Sequence, residues 1–244
     1  MEVIFLIALS YFWKCHFATL PKAADILLLD ATSNLDRSDT KLFHMMTPAA
    51  VGALPLGTII TTREDEKTIE RGLQMMKEIL PSWAFYGRGP NVGPVLGITD
   101  DCDAERNALQ TAWPSIELLL CQFHVLQSNW QFIFKSENQV EKFDKPKLLR
   151  MMRKILYAET SQDFEEAVAE MKENPVYNKY ERYKIYMEEK VLPRSKEWSL
   201  QHRVEARLPT NNVNVSNYVE TSFRVTKELK FNRHRAHNLA EMVR

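Results

Sequence analysis

The chain has 244 residues, of which 45% are hydrophobic and 26% are charged. This composition excludes a disordered, collagen-like or coiled-coil protein, and no apolar run reaches the roughly 18 residues that a membrane span needs. Basic and acidic residues balance at 32 each, but residues 1–130 carry 10 basic and 15 acidic side chains, whereas residues 131–244 carry 22 and 17. This split favours a metal-binding first half and a second half that faces a polyanion.

An apolar block, VIFLIALSYFW at residues 3–13, stands near the beginning of the chain. Its length suits a secretory signal, but no positive charge precedes it. A core strand or helix, or a start cut from a longer protein, are the alternative interpretations. We therefore assign residues 1–24 to an apolar segment whose role the sequence leaves open, secretion included.

Strands and helices alternate after this segment. Short apolar or β-branched runs predict four strands, at residues 26–30, 54–62, 95–99 and 115–123. The last of them leads into a helix near His124. Two further helices are predicted at 64–80, where apolar residues recur at helical spacing, and at 103–112, with Asp101 or Asp103 as the cap.

The second half of the sequence is typical of helices. All seven glycines lie between Gly52 and Gly97, so the last 147 residues contain none. Apolar and aromatic stripes predict a helical block at about 131–200, with Tyr177, Tyr180 and Tyr183 in the core rather than on a base-stacking surface. A polar loop at 208–217 and a final helix at 218–232 follow.

This order of elements predicts an α/β core that is interrupted by an all-helical insertion. We expect residues 25–130 to form the first part of the core and residues 131–205 to form the insertion. Residues 206–244 then supply the last core helix and the C-terminal end.

The segment ILLLDATSNLD at 26–36 is similar to the second nucleotide-binding motif of ABC-type ATPases. Those proteins place a glutamate directly after the aspartate, where this chain has Ala31. They also need a glycine-rich loop that ends in Lys-Ser or Lys-Thr, and this sequence has no such loop. The sequence therefore argues against an ATPase.

Two aspartates follow short apolar strands, Asp30 after the first and Asp100 after the third. Because α/β proteins place ligands at the carboxyl ends of their strands, this pair predicts a site for a hard divalent cation. A second metal would need a third carboxylate from another element. Spacing alone does not choose among the many acids after the helical block.

Five segments of the sequence resemble Mutator-like element (MULE) transposases, whose catalytic core is ribonuclease H-like. They are DAT at 30–32, PLGTIITTREDEKTIERGLQMMKEIL at 55–80, ITDDCDAERNALQTAWP at 98–114, CQFHVLQSNW at 121–130 and NYVETSFRVTKELKFNR at 217–233. The resemblance covers about residues 24–244 and keeps the family's order of motifs. It implies a ribonuclease H-like mixed sheet flanked by helices, with an all-helical insertion before the last core helix.

The resemblance also implies a DDE-type catalytic triad of Asp30, Asp100 and Glu220. These acids would hold two divalent cations, Mg²⁺ or Mn²⁺, and the protein would cleave and join DNA phosphodiesters in DNA transposition. One cation would activate water or a DNA 3′-hydroxyl, and the other would stabilise the leaving oxygen. DNA is then the expected partner and the nucleus the expected location; a homo-oligomer stays open, and no membrane is expected.

The residues around Glu220 agree with this assignment. On a helix, Glu220, Arg224 and Lys227 share one face at spacings of 4 and 3 residues, so an acid and two DNA-binding cations stand together. The alternative is a solvated helix face with an incidental ion pair.

Other candidates stay open near these acids. Asp101 could replace Asp100 as the ligand, although the resemblance selects Asp100. The family's Cys-x-x-His motif corresponds to Cys121 and His124, which would support the acids or form half of a zinc site. Cys102 and His202 are among the candidates to complete such a zinc site, without a spacing that recommends them.

The sequence lacks the Cys/His clusters of the zinc-containing DNA-binding modules that usually flank such a core in the family. A truncated or domesticated copy of a transposase is therefore among the expectations. The alternative function is a non-catalytic nucleic-acid or protein interaction module on the same fold.

Overall fold

The computed structural model describes residues 4–6, 20–33, 40–49 and 52–210. These residues form two compact units, with the boundary between Leu118 and Leu119. The first unit contains most of a β-sheet and its helices, and the second is helical. The second unit thus begins at Leu119, upstream of the predicted insertion boundary at residue 131.

Six strands form one sheet in the described part of the chain. They are β1 (Ile4–Leu6), β2 (Ile26–Thr32), β3 (Lys41–Ala49), β4 (Gly52–Thr61), β5 (Leu96–Thr99) and β6 (Glu117–Leu120). The order across the sheet is β1-β4-β3-β2-β5-β6. Strand β2 pairs with β5 in parallel, whereas the pairs β2–β3, β3–β4 and β1–β4 are antiparallel. The sheet is therefore mixed, and β2 has an antiparallel neighbour on one side and a parallel neighbour on the other.

Three helices accompany the sheet in the first unit: α1 (Pro21–Asp25), α2 (Glu66–Ile79) and α3 (Asp103–Ala112). Helix α2 begins after Asp65, whose carboxylate accepts a hydrogen bond from the Thr68 N–H at 3.2 Å. The predicted apolar stripe of this helix is confirmed, because Ile69, Leu73 and Met76 are fully buried. They pack with β-strand residues such as Leu27, Leu29, Phe43, Met45 and Ile59 in one hydrophobic core.

Two details of the first unit differ from the prediction. Strand β3 was not predicted, because its sequence KLFHMMTPA lacks both a clean alternation and a long β-branched run. The N-cap of α3 is Cys102, so the prediction that Asp101 or Asp103 occupies this position is wrong. A thiol is a poor hydrogen-bond acceptor, and that of Cys102 makes no capping hydrogen bond.

All regular secondary structure described in the second unit from Gln122 onward is helical, with irregular connections between the helices. Its longer helices are α4 (Gln122–Phe134), α5 (Lys145–Leu156) and α6 (Ser161–Glu173). Shorter helical segments follow: α7 (Pro175–Lys179), α8 (Glu181–Tyr186), a π-helix (Met187–Val191), a 3₁₀ turn (Leu192–Arg194), α9 (Ser195–Trp198) and α10 (Leu200–Glu205).

The core of this unit consists of the predicted stripes. Leu148, Met152 and Ile155 are fully buried on α5, and Tyr177 and Tyr183 are at most 1% exposed. These side chains join one hydrophobic cluster with Met171 and Trp198, among others. The prediction that Tyr177, Tyr180 and Tyr183 are core residues is therefore confirmed.

The α/β class and the mixed sheet flanked by helices are confirmed. The strand order and directions are compatible with a ribonuclease H-like arrangement. Residues 4–6 form a strand beside β4, which agrees with the core-strand interpretation of this part of the apolar block. The predicted final helix at 218–232 lies outside the described residues. Among the described helices, none has the length and apolar character of a membrane span.

Candidate metal centre

Asp30 and Asp100 stand side by side at the carboxyl ends of two parallel strands. The register of β2 and β5 pairs Leu28 with Ile98. Asp30 lies two residues after Leu28, still within β2, and Asp100 lies two residues after Ile98, directly after the end of β5. Because parallel strands point in one direction, both carboxyl groups reach the same edge of the sheet. The structure thus places two of the three predicted catalytic residues at one edge of the sheet, although the closely spaced group of potential metal ligands that contains Asp100 does not include Asp30.

The strand pairing buries Asp30. Its side chain is 6% exposed, and Oδ1 accepts a hydrogen bond from the Ala31 N–H at 2.8 Å. Alternation along β2 directs Asp30 to the sheet face opposite Leu27 and Leu29, which belong to the hydrophobic core with α2 and α3. Asp30 is therefore a buried carboxyl group on the less apolar face of the strand.

A polar row extends from Asp30 across the antiparallel strands. The register pairs Asp30 with His44 on β3 and His44 with Thr58 on β4. The imidazole Nδ1 lies 3.0 Å from Thr58 Oγ1, which fixes the orientation of the ring. Side chains in register on neighbouring strands share one face, so His44 stands beside the candidate ligand Asp30.

Asp100 follows β5 directly, and the preceding residue holds its backbone. The Thr99 hydroxyl donates to the Asp100 carbonyl oxygen at 2.8 Å. The side-chain Oδ1 of Asp100 is buried and accepts no hydrogen bond from any described residue. An unpaired buried carboxylate oxygen is costly, which is typical of an atom whose partner is a ligand.

A third acid, Glu105, projects toward Asp100 from the first turns of α3. Glu105 is 3% exposed, and its Oε2 is buried without a hydrogen-bond partner among the described residues. One ligand atom each from Asp100, Cys102 and Glu105 lies within 4.8 Å of the other two. The chain therefore presents two carboxylates and a thiol at one point.

The electrostatics of this cluster follow from burial and crowding. Burial raises the pKa of the Glu105 carboxyl well above its usual range, and the negative charges of Asp100 and Asp30 raise it further. Because Coulomb interactions weaken with distance, this joint effect indicates that the three acids share one neighbourhood. Burial also raises the pKa of the Cys102 thiol, and the charges of Glu105 and Asp100 act in the same direction.

The cluster of Asp100, Cys102 and Glu105 could hold a metal ion. It is the one group of three or more acidic, cysteine or histidine side chains with this geometry in the described ranges. Carboxylate oxygens suit hard cations such as Mg²⁺ and Mn²⁺, and the thiol adds a softer donor. A bound cation would compensate the two buried oxygens that lack hydrogen bonds.

The other predicted site residues lie elsewhere. Glu220, Arg224 and Lys227 are outside the described residues. Asp101 is exposed, unlike its neighbour Asp100, and does not belong to the three-residue cluster.

The Cys-x-x-His residues belong to the helical unit. Cys121 is fully buried at the N-cap of α4, and His124, in the first turn of that helix, packs edge-to-face on Phe123 at 5.5 Å between ring centres. Neither joins a group of three potential metal ligands in the part of the chain that the structure describes. Their role in zinc binding or in support of the acids stays a prediction.

Sequence reasoning missed Glu105 and His44. A signal for Glu105 was present, because it occupies the same helical stripe as the buried residues Ala108, Leu109 and Ala112. An acid on an apolar stripe is expensive to bury and thus marks a candidate site. His44 had no such signal, because its strand was not predicted and its register with Asp30 was therefore unknown.

Comparison with known proteins gives no assignment by similarity: no family model matches the chain, and no curated protein matches it.

Proposed function

We propose that this chain is the catalytic core of a DDE-type transposase that cleaves and joins DNA phosphodiesters with two divalent cations, Mg²⁺ or Mn²⁺. The observation that carries the proposal is the position of Asp30 and Asp100, each two residues beyond the paired residues Leu28 and Ile98 of adjacent parallel strands. The sheet order is compatible with the ribonuclease H-like fold that such a core requires. The motif resemblance adds Glu220 as the third acid.

The described residues fit a divalent cation. The donor set at the edge of the sheet is oxygen-rich, as hard cations prefer, and includes the unpaired oxygens Asp100 Oδ1 and Glu105 Oε2. Three acids in one neighbourhood repel one another, and a cation would turn this repulsion into attraction. The fit thus rests on the chemistry of the donors as well as on their number.

When bound, the cations would activate water or a DNA 3′-hydroxyl and stabilise the leaving oxygen of the phosphodiester. The residues of the chain provide a fixed frame for this chemistry. Asp30 is held within a paired strand by its neighbours on both sides, and Asp100 is held at the end of β5. Such rigid placement keeps the carboxylates oriented without reorganisation during the reaction.

The helical unit supplies a surface for the DNA backbone. Helix α5 carries five cations and no acid: Lys145, Lys147, Arg150, Arg153 and Lys154. Lys147 pairs with Asp144 and Lys154 pairs with Glu170, whereas no ion pair engages Arg150 or Arg153 within the described residues. Exposed arginines without carboxylate partners suit phosphate contacts. The proposal includes action on nuclear DNA.

The test is metal-dependent cleavage of supercoiled plasmid DNA by the purified protein. We expect nicking with Mg²⁺ or Mn²⁺, loss of nicking with EDTA, and loss in Asp30→Asn, which keeps the shape of the side chain but removes its charge. Asp103→Asn is the matched control, because it removes an exposed carboxylate close to the site and should leave nicking intact.

Two results would contradict the proposal. Nicking that persists in Asp30→Asn would assign the activity to another site or to a contaminant. DNA binding without any metal-dependent nicking would favour the alternative function, a non-catalytic nucleic-acid interaction module on the same fold.

A further inference from the structure

The start of helix α3 carries a chemical group that a simple carboxylate site does not need. Cys102 occupies the N-cap position between the candidate ligand Asp100 and the buried Glu105. Its sulfur lies within 4.8 Å of a carboxylate oxygen of each of these acids.

Glu105 provides an independent sign that a ligand belongs here. Its side chain is 3% exposed, and its Oε2 accepts no hydrogen bond from a described residue, although the protonated carboxyl group hydrogen-bonds to Asp100. A buried oxygen without a partner is costly, so such atoms are rare where no ligand binds. Glu105 is one turn along α3 from Cys102, which aims both side chains at Asp100.

We propose that Asp100, Cys102 and Glu105 form a thiol-containing cation subsite that binds one Zn²⁺-like ion more tightly than Mg²⁺. This inference deepens the proposed function and rests on it for the role of Asp100 as a metal ligand. Glu105 becomes a ligand in addition to the three acids of the triad. Cys102 loses its proton to solvent on binding, and the resulting thiolate forms the bond to the metal.

The preference follows from the donor atoms. Mg²⁺ takes oxygen ligands in near-ideal octahedral geometry and gains little from sulfur. Zn²⁺ and Cd²⁺ bind thiolate, and two carboxylates then complete three of the four positions that tetrahedral Zn²⁺ requires. A fourth position stays open for water or for a DNA oxygen. The subsite would therefore select which divalent cation occupies the candidate centre.

The experiment titrates the full-length protein with Cd²⁺ and Zn²⁺ in the absence of DNA. Cd²⁺ bound to a thiolate gives an ultraviolet charge-transfer absorption, and calorimetry measures Zn²⁺ affinity. We expect one Cd²⁺-thiolate band per chain, which Cys102→Ser removes and the matched control Cys15→Ser keeps. We also expect Glu105→Gln to weaken Zn²⁺ binding by about tenfold or more.

Cys102→Ser guards against a folding artefact, because serine is a preferred N-cap and should support α3. A band that is absent from the native protein, or that is unchanged in Cys102→Ser, would overturn the inference. Zn²⁺ affinity that is equal in Glu105→Gln and the native protein would overturn it as well.

Plasmid nicking in the same preparations separates the two claims. Mg²⁺-dependent nicking without a thiolate band would reject the subsite and leave the proposed function standing. A Cys102-dependent band together with inactive protein would support the subsite and reject the proposed function. Asp30→Asn, which does not alter a subsite residue, should keep the band while it loses nicking.

Discussion

At the scale of single residues, Glu105 should destabilise the metal-free protein. Its pKa is raised by burial and by the charges of Asp100 and Asp30, so the folded state holds a proton that the unfolded chain releases near pH 4. The stability of the folded state therefore falls as pH rises above that value. We expect Glu105→Gln to raise the melting temperature in EDTA at pH 7 by a few degrees.

Scanning calorimetry at two pH values checks this prediction. The increase in melting temperature caused by Glu105→Gln should be clear at pH 7. It should vanish near pH 4, where the native protein and the variant both carry a neutral group at position 105. Asp103→Asn, which changes an exposed acid on the same helical turn, should show no comparable gain. A lower melting temperature for Glu105→Gln at pH 7 would contradict this account of the site.

Only some residues of the candidate site could be predicted from the sequence. Asp30 and Asp100 could be placed because each ends a short apolar strand, and strand ends follow from local hydrophobicity. Glu105 needed the knowledge that its helix stripe is buried beside Asp100, which only the packing provides. His44 needed the register between β2 and β3, a long-range property that no local pattern contains.

At the scale of elements, the loop before β5 depends on a close approach of Gly93 to an aromatic ring. Gly93 has a φ of 69°, and a Cβ there would lie 2.3 Å from Cδ1 of Trp113. Trp113 is fully buried, and its indole N–H donates to the Pro90 carbonyl oxygen at 2.8 Å. The ring cannot move without loss of this hydrogen bond.

We expect Gly93→Ala to lower the free energy of unfolding by about 1–3 kcal/mol. Gly87→Ala is the matched control, because Gly87 has a φ of 91° but a Cβ added there would meet no atom within 4 Å. Chemical denaturation measures the free energy of unfolding of both variants. Gly87→Ala introduces backbone strain alone, whereas Gly93→Ala introduces strain and a clash with Trp113. Equal losses in the two variants would show that contact with Trp113 is not the cause.

The start of α5 is held by a buried carboxylate. Asp144 is 7% exposed and accepts hydrogen bonds from Lys147 Nζ at 2.8 Å, from the Tyr180 hydroxyl at 2.8 Å and from Lys179 Nζ at 3.2 Å. The hydrogen bond from Lys147 and then that from Tyr180 lower the pKa of Asp144. A lowered carboxyl pKa stabilises the fold above the ordinary value of about 3.9, and this stability is lost as pH falls below it.

Asp144→Asn should therefore melt at a lower temperature than the native chain at pH 7. The difference should narrow as pH falls below about 4, because the unfolded native chain then takes up a proton at Asp144 while the folded carboxylate, with its lowered pKa, stays ionised. Glu137→Gln, a change of an exposed acid in the same unit, provides the control. A gap between native and Asp144→Asn chains that is constant from pH 7 to pH 3 would contradict the assigned role of the carboxylate.

Helices were easier to predict than strands because their signal is local. The stripes of α2 and α5 repeat every three or four residues, and their burial followed the pattern. Strand β3 is stabilised by two neighbouring strands rather than by its own sequence. The cap of α3 was mispredicted because side-chain preference favoured an aspartate, whereas the structure places Cys102 there.

At the scale of the whole molecule, the division into an α/β unit and a helical unit followed from glycine content and apolar periodicity. The boundary at Leu119 was harder to predict from the sequence, because no glycine or proline lies between β6 and α4. The proposed catalytic triad depends on the order of the sequence motifs as well as on the fold. The two aspartates end strands of the sheet, whereas Glu220 is assigned from the motif resemblance.

The proposed DNA contact by α5 predicts a salt-dependent affinity. Each lost phosphate contact lowers the slope of log affinity against log salt by about 0.9. We expect Arg150→Ala combined with Arg153→Ala to weaken DNA binding and to reduce this slope by about 1–2. Fluorescence anisotropy with a labelled duplex at several salt concentrations measures both quantities.

A matched control removes two other exposed cations of the same unit. Lys172 and Lys190 each lie beside acidic residues, so Lys172→Ala combined with Lys190→Ala should change affinity and slope much less. Equal effects in the two double variants would indicate a general charge effect and would contradict a DNA contact specific to α5.

In the proposed function, Asp30, Asp100 and Glu220 form one metal centre. A crystal structure of the protein soaked in Mn²⁺, with the ions located by anomalous scattering, would show this centre. We expect an Mn²⁺ peak between the carboxylates of Asp30 and Asp100, with the Glu220 carboxylate at the same centre. Glu220 on the far side of the sheet from Asp30, or Mn²⁺ bound only away from both aspartates, would contradict it.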